Sequence, residues 1–348
     1  MFTRSVSTVC LVTLALMFRP VGLPAASAPD QLPRHYTVQV LSVPAERELP
    51  FLATCETLRR KGYLVYHCRA VIDGRTYLRL RSGVFRSRAE ADAYGRQLRD
   101  AEGFDYFVTE TDGFVNYLDG RTFVFTTPSG IWLQSGDSAR RLYSPADGHI
   151  DTDGTRARIA PDGSAIAFYE DQAILTLDID SGDVRVLRQA TSDRELLNSV
   201  VRWSPDSQYL AYLDVAEWEL PTKLWLMRRD GRDRRRLVAD PTGRTRVKSF
   251  LWHPRQNRIF YVAGPTHGTV SVGGTLYSTD LAGRRTVIAA ASPDQRKEVH
   301  STFRIAGDTL HYRIAHFDGN GQVRHYTSHT LALTESRRPA DRPGSDAR

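Results

Sequence analysis

Apolar and polar side chains alternate in "YTVQVLSV" (36–43), "YLVYHCR" (63–69), "TYLRLR" (76–81) and "FDYFVT" (104–109), the period of strands with one buried face. Between the first two, residues 45–61 place Leu52, Cys55 and Leu58 on one helical face, with Pro50 in the first turn and Gly62 at the C-terminal cap. Asp73-Gly74 tolerates the positive φ of a tight turn and predicts a hairpin between the second and third strands. Ser87 and Glu90 form a capping box before a helix with Ala91, Tyr94, Leu98 and Ala101 on one face, stopped by Gly103. The order β-α-β-β-α-β is a split-βαβ arrangement, an α+β domain over 35–110 with two helices on one sheet face.

Strict alternation points Val38, Val40, Leu64, Tyr66, Cys68, Leu78 and Leu80 toward the helices. The opposite face then carries Gln39, Leu41, Val65, His67, Arg69, Tyr77, Arg79 and Arg81, and Phe107 if Asp105 faces outward. Tyr77 offers a ring to stack on, and the arginines, His67 and Gln39 offer donors for hydroxyls or carboxylates. Cys55 on the helix and Cys68 on the strand face each other in this assignment, which predicts a disulfide.

A second pattern fills 111–335: a turn, an apolar strand ending in an aromatic, a further strand and a polar turn. Five aromatics, Phe125, Phe168, Tyr212, Tyr261 and Tyr312, mark five copies, with "IAPDGSAIAF" and "WSPDSQYLAY" the clearest. Four-stranded units at intervals of ~40 to 50 residues cannot bury both faces alone and predict an all-β propeller of about five or six blades. The last copy has no clear fourth strand.

At the N-terminus, Arg4 precedes an apolar run from Val9 to Phe18 and the small residues Ala25, Ala26, Ser27 and Ala28, the pattern of a cleaved signal peptide over 1–28. That run is shorter than the ~20 residues a transmembrane helix needs. Export to the periplasm follows, and a disulfide suits that compartment. The net charge of +7 comes from arginines spread along the chain, without the basic helix or aromatic-plus-basic motif of a nucleic-acid binder. Residues 336–348 read as a disordered tail.

"YTVQVLSV" resembles the opening signature of SPOR domains, Y-x-V-Q-V-G-S-F; "YLRLRSGVF" (77–85) resembles their second signature, R-V-x-V-G-P-F; and "SRAEADAYGRQL" resembles the helix that follows it. The resemblance implies binding of peptidoglycan glycan strands, with preference for strands stripped of stem peptides as at division septa. Gln39 and Ser42 fall on the first signature, Arg79 and Gly83 on the second. Leu41, Val43 and Val84 replace the usual glycine, phenylalanine and proline. The glycan contacts expected from face and signature together are Gln39, Ser42, His67, Tyr77, Arg79 and Arg81. The "SPDG"-like turns and "LYxxDLxG"-like strands of 111–335 resemble TolB-type propellers, which implies envelope proteins as partners.

Elsewhere, His325 and His329 share a strand face without a completing carboxylate or cysteine, "DTDG" (151–154) is half of a calcium loop, and "RRDGRDRRRL" (228–237) is a charged hairpin. No metal or other cofactor is expected. No G-x-S-x-G, P-loop or H-E-x-x-H motif is present. The expectation is a non-enzymatic periplasmic adaptor, with a cell-wall enzyme targeted by its small domain as the alternative.

Overall fold

The computed structural model describes residues 35–333 apart from 112, 128, 137, 146–156, 193–195, 197–199, 215–219, 239, 241 and 267–272. The expected signal peptide over 1–28, the "DTDG" turn and the tail 336–348 lie outside the described residues.

The first domain runs β1 (Tyr36–Pro44), α1 (Glu48–Arg60), β2 (Val65–Ile72), β3 (Arg75–Phe85), α2 (Arg88–Glu102) and β4 (Phe107–Glu110). Its antiparallel sheet has the order β2-β3-β1-β4, as the split-βαβ reading requires. Asp73 and Gly74 both take positive φ in the β2–β3 turn. Ser87 and Glu90 close a full capping box on α2, and Gly103 ends it in the left-handed conformation. Val38, Val40, Phe51, Cys55, Leu58, Val65, Leu78, Leu80, Ala91, Leu98 and Val108 form the core between sheet and helices.

Two departures from strict alternation reorganise the faces. In β1, Gln39 pairs with Arg81 while Leu41 pairs with Leu80, so an extra residue bulges at Val40. After the bulge Leu41 and Val43 pack on the helix-side core, and Ser42 opposes Arg79. In β2 the helix side is the other parity. Val65 belongs to the helix-side core, His67 packs edge-on against Phe51 with centroids 5.9 Å apart, and Arg69 reaches Glu48 of α1 at 3.4 Å. Tyr66 and Cys68 pair with Arg81 and Arg79 on the opposite face.

Among the described residues, five antiparallel groups of strands follow, the last two continuous through one backbone pairing. The first holds β5 (Phe114–Tyr117), β6 (Thr122–Thr127), β7 (Gly130–Ser135) and β8 (Ser138–Tyr143); the second β9 (Arg158–Ile159), β10 (Ala165–Glu170), β11 (Ala173–Asp178) and β12 (Val184–Gln189). The third holds β13 (Val201–Trp203), β14 (Tyr209–Leu213), β15 (Leu224–Arg228) and β16 (Arg235–Val238); the fourth β17 (Thr245–Trp252), β18 (Arg258–Pro265), β19 (Gly273–Asp280) and β20 (Arg285–Ala289). The fifth has β21 (Lys297–His300) and β22 (Arg304–Ala306) on one edge of β23 (Thr309–Phe317), and β24 (Val323–Ala332) on the other. These are blades of a propeller.

The five aromatics read from the repeat occupy one structural position. Phe125 pairs across the sheet with Trp132, Phe168 with Leu175, Tyr212 with Trp225, Tyr261 with Tyr277 and Tyr312 with His329. The first four are fully buried, and Tyr261 stacks on Tyr277 at 5.1 Å and 17°. Four apolar clusters join successive blades, first to second through fourth to fifth. Indole hydrogen bonds repeat the fastening: Trp203 donates to the Arg158 carbonyl at 2.9 Å and Trp252 to the Arg202 carbonyl at 3.1 Å. Blades four and five also share backbone pairing, Gly273 with His300 and Gly274 with Val299. A Cβ on Gly273 would meet the Val299 carbonyl at 1.6 Å, so this approach needs glycine.

The other face of the first blade packs on the small domain. Phe123, Phe125 and Trp132 enclose Leu64 and Tyr66 in one buried cluster. Among the described residues no apolar cluster joins the fifth blade to the first. Among the described residues the blades stack in chain order, with the small domain on the first.

Candidate glycan-binding face

Three rows of side chains cross the sheet face opposite the helices. The first is Phe107, Gln39, Arg81 and Tyr66; the second Ser42, Arg79 and Cys68; the third Pro44, Tyr77 and Ala70. Cross-strand neighbours stand about 5 Å apart and rows about 7 Å apart, the scale of successive sugar rings.

Exposure falls along the first two rows toward β2. Phe107 is 60 % exposed at one end, and Tyr66 at the other is completely buried. Ser42 is exposed, and Gln39, Tyr77 and Arg79 are half-buried. The covered end has specific contacts: the Tyr66 and Phe125 rings meet edge-on at 5.0 Å, and the Tyr66 and Thr111 hydroxyls are 2.8 Å apart. The His67 backbone N–H donates to Ser129 Oγ at 3.4 Å.

Of the six expected glycan contacts, Gln39, Ser42, Tyr77 and Arg79 come together on the uncovered part of this face. Arg81 lies on the same face but is only 6 % exposed, in the row that the first blade closes. His67 is a correction: it points to the helix side, against Phe51. Phe107, whose placement alternation left conditional, is the most exposed aromatic of the face, since Asp105 is outward. Gly83 takes φ +71, and a Cβ there would meet the Phe85 ring at 2.4 Å, so this signature glycine is structural.

The expected disulfide is also corrected. No disulfide joins Cys55 and Cys68, because Cys55 sits in the helix-side core and Cys68 faces the other way beside Arg79. Burial pushes the Cys55 thiol up to about 11.

A second set of contacts fixes the junction at the far end of β3. The Arg86 guanidinium lies 4.5 Å over the Tyr117 ring and donates to the Tyr117 hydroxyl at 3.3 Å and the Gly120 carbonyl at 3.1 Å. His35 Nε2 is 2.9 Å from the same hydroxyl. Beside them lies a cavity of about 400 Å³ lined by Phe85, Arg86, Glu90, Tyr117 and Arg121 among others. His325 and His329 do share a face of β24, opposite His316 and Tyr312. No metal-holding group of three His, Cys, Asp or Glu occurs among the described residues.

The same stretch that builds this sheet decides the comparison with known proteins. Residues 32–110 match the SPOR domain. A SPOR domain implies peptidoglycan binding and a place in the cell envelope or periplasm. The C-terminal part resembles TolB-type propellers. A TolB-assigned protein of Agrobacterium tumefaciens is 18 % identical over 66 % of this chain and 85 % of its own, with a TM-score of 0.40. TolB from Acinetobacter baumannii is 12 % identical over 79 % of this chain and 85 % of its own, with a TM-score of 0.39. No match is found among the curated proteins. No helix among the described residues is long and apolar enough to cross a membrane.

Proposed function

We propose that this protein is a non-enzymatic adaptor of the periplasm, which holds peptidoglycan glycan on its SPOR face and presents its propeller to envelope proteins. The observation that carries the reading is the uncovered platform of Phe107, Gln39, Ser42, Arg79 and Tyr77 within the SPOR match. Phe107 and Tyr77 supply faces for sugar rings, and Gln39, Ser42 and Arg79 supply donors and acceptors for hydroxyls and carboxylates.

Arg79 gives the platform a preference. Where an amidase has removed the stem peptide, the lactyl group of the glycan ends in a carboxylate, and a guanidinium binds a carboxylate with two parallel hydrogen bonds. Denuded glycan is therefore the favoured ligand, which directs the protein to septa where such strands accumulate. The propeller contributes outward-facing blade surface for protein partners.

Two measurements test this reading. Titration with soluble denuded glycan should saturate the full chain, and Gln39→Ala should weaken binding while Gln97→Ala, on the outward face of α2, should not. Sacculi incubated with the protein should release no muropeptides; release would favour an enzyme instead.

A further inference from the structure

Blades one to four each have a fourth strand, β8, β12, β16 and β20, on the outer edge of the third. Among the described residues, nothing pairs with the outer edge of β24, the third strand of blade five. The strand is also little covered by its surroundings. The third strands β7, β11, β15 and β19 each bury at least three residues, whereas none of the ten residues of β24 is buried. Tyr326 and Leu331 on β24 are 39 % and 36 % exposed.

This edge is regular and carries none of the usual protections. From His325 to Ala332 the pairing with β23 runs without a bulge. The strand contains no proline or lysine, and its one fixed charge is Arg324 near its start. Exposed edges are normally blunted by one of these devices, because unpaired N–H and C=O groups recruit another strand.

We infer that β24 is an interface for a second copy of this chain, the two β24 strands pairing antiparallel about a two-fold axis to continue one sheet across both molecules. A two-fold perpendicular to the sheet keeps paired side chains on the same face, so it is centred on a pair of equivalent residues, and at the middle of the strand these are Thr327 or Ser328. In the first case Arg324 faces Thr330 and Tyr326 faces Ser328 of the copy; in the second Arg324 faces Ala332 and Tyr326 faces Thr330. Arg324 never meets its own equivalent, so like-charge repulsion across directly opposed positions is avoided. An acidic peptide would find a single fixed cation on this strand, whereas a second copy needs none.

Sedimentation velocity on the purified full chain from 1 to 100 µM tests the assignment, together with amide exchange of residues 325–332 at both ends of that range. The expected result is a monomer–dimer equilibrium, with those amides slowing as concentration rises. The Ser328→Lys, Thr330→Lys double variant, which charges two exposed edge positions, should weaken dimerisation at least tenfold with an unchanged far-ultraviolet spectrum. A monomer at 100 µM overturns the proposal, as does a dimer that survives the double variant. So does a monomer whose β24 amides are already protected, since its own tail would then cover the edge. If the variant fails to fold, the concentration dependence of exchange in the unaltered chain decides alone.

Discussion

Arg79 and Arg81 stand two residues apart on the same face of β3, yet Arg79 is half-buried at the open end while Arg81 is 6 % exposed. Their substitutions should separate. Arg79→Ala should weaken binding of denuded glycan by about tenfold or more, the loss of a charge-assisted hydrogen bond, with an unchanged melting temperature. Arg81→Ala should lower the melting temperature by several degrees; calorimetry and glycan titration on both variants check this. Cys55 gives a pH test. Its thiol is raised from 9.0 to about 11 by burial, so between pH 9 and 11 the unfolded chain loses this proton and the folded chain keeps it. Stability therefore falls across that window, by on the order of 2 kcal/mol, and Cys55→Ala should flatten the fall in denaturant titrations. A disulfide to Cys68 would instead leave both sulfurs unreactive toward thiol reagents after unfolding without reductant; the expected result is that both then react.

At the scale of elements, alternation identified every strand and helix of the SPOR region but misassigned the faces of β2. The cause is legible afterwards: Val65 packs on the helices and Tyr66 on the first blade, so both parities of "YLVYHCR" are buried and the pattern cannot say which is which. Ser42 is the converse case, an outward position that only the bulge at Val40 explains. The repeat was clearer, because each of the five aromatics occupies the same cross-strand position. The junction itself has no sequence signature. It makes a prediction: Tyr66→Ala removes the ring packed on Phe125 and should cost roughly 3–5 kcal/mol. Calorimetry should then resolve separate transitions of the SPOR region and propeller where the unaltered chain gives one.

For the whole molecule, the first blade uses one face for the second blade and the other for the SPOR domain. The first blade therefore shortens the sheet face proposed to bind glycan from the β2 side and leaves its β1 and β4 side open. The repeat is legible in the spacing of the aromatics, with the blade count left at five or six, but this arrangement is not, since it depends on which apolar surface Leu64 and Tyr66 meet. On the proposed reading the intact chain grips denuded glycan through that open side. Co-sedimentation of the full chain with purified sacculi, before and after amidase treatment, decides this. Retention should rise after treatment and fall in Arg79→Ala. Equal retention on both sacculi and by both proteins, or none at all, would contradict it.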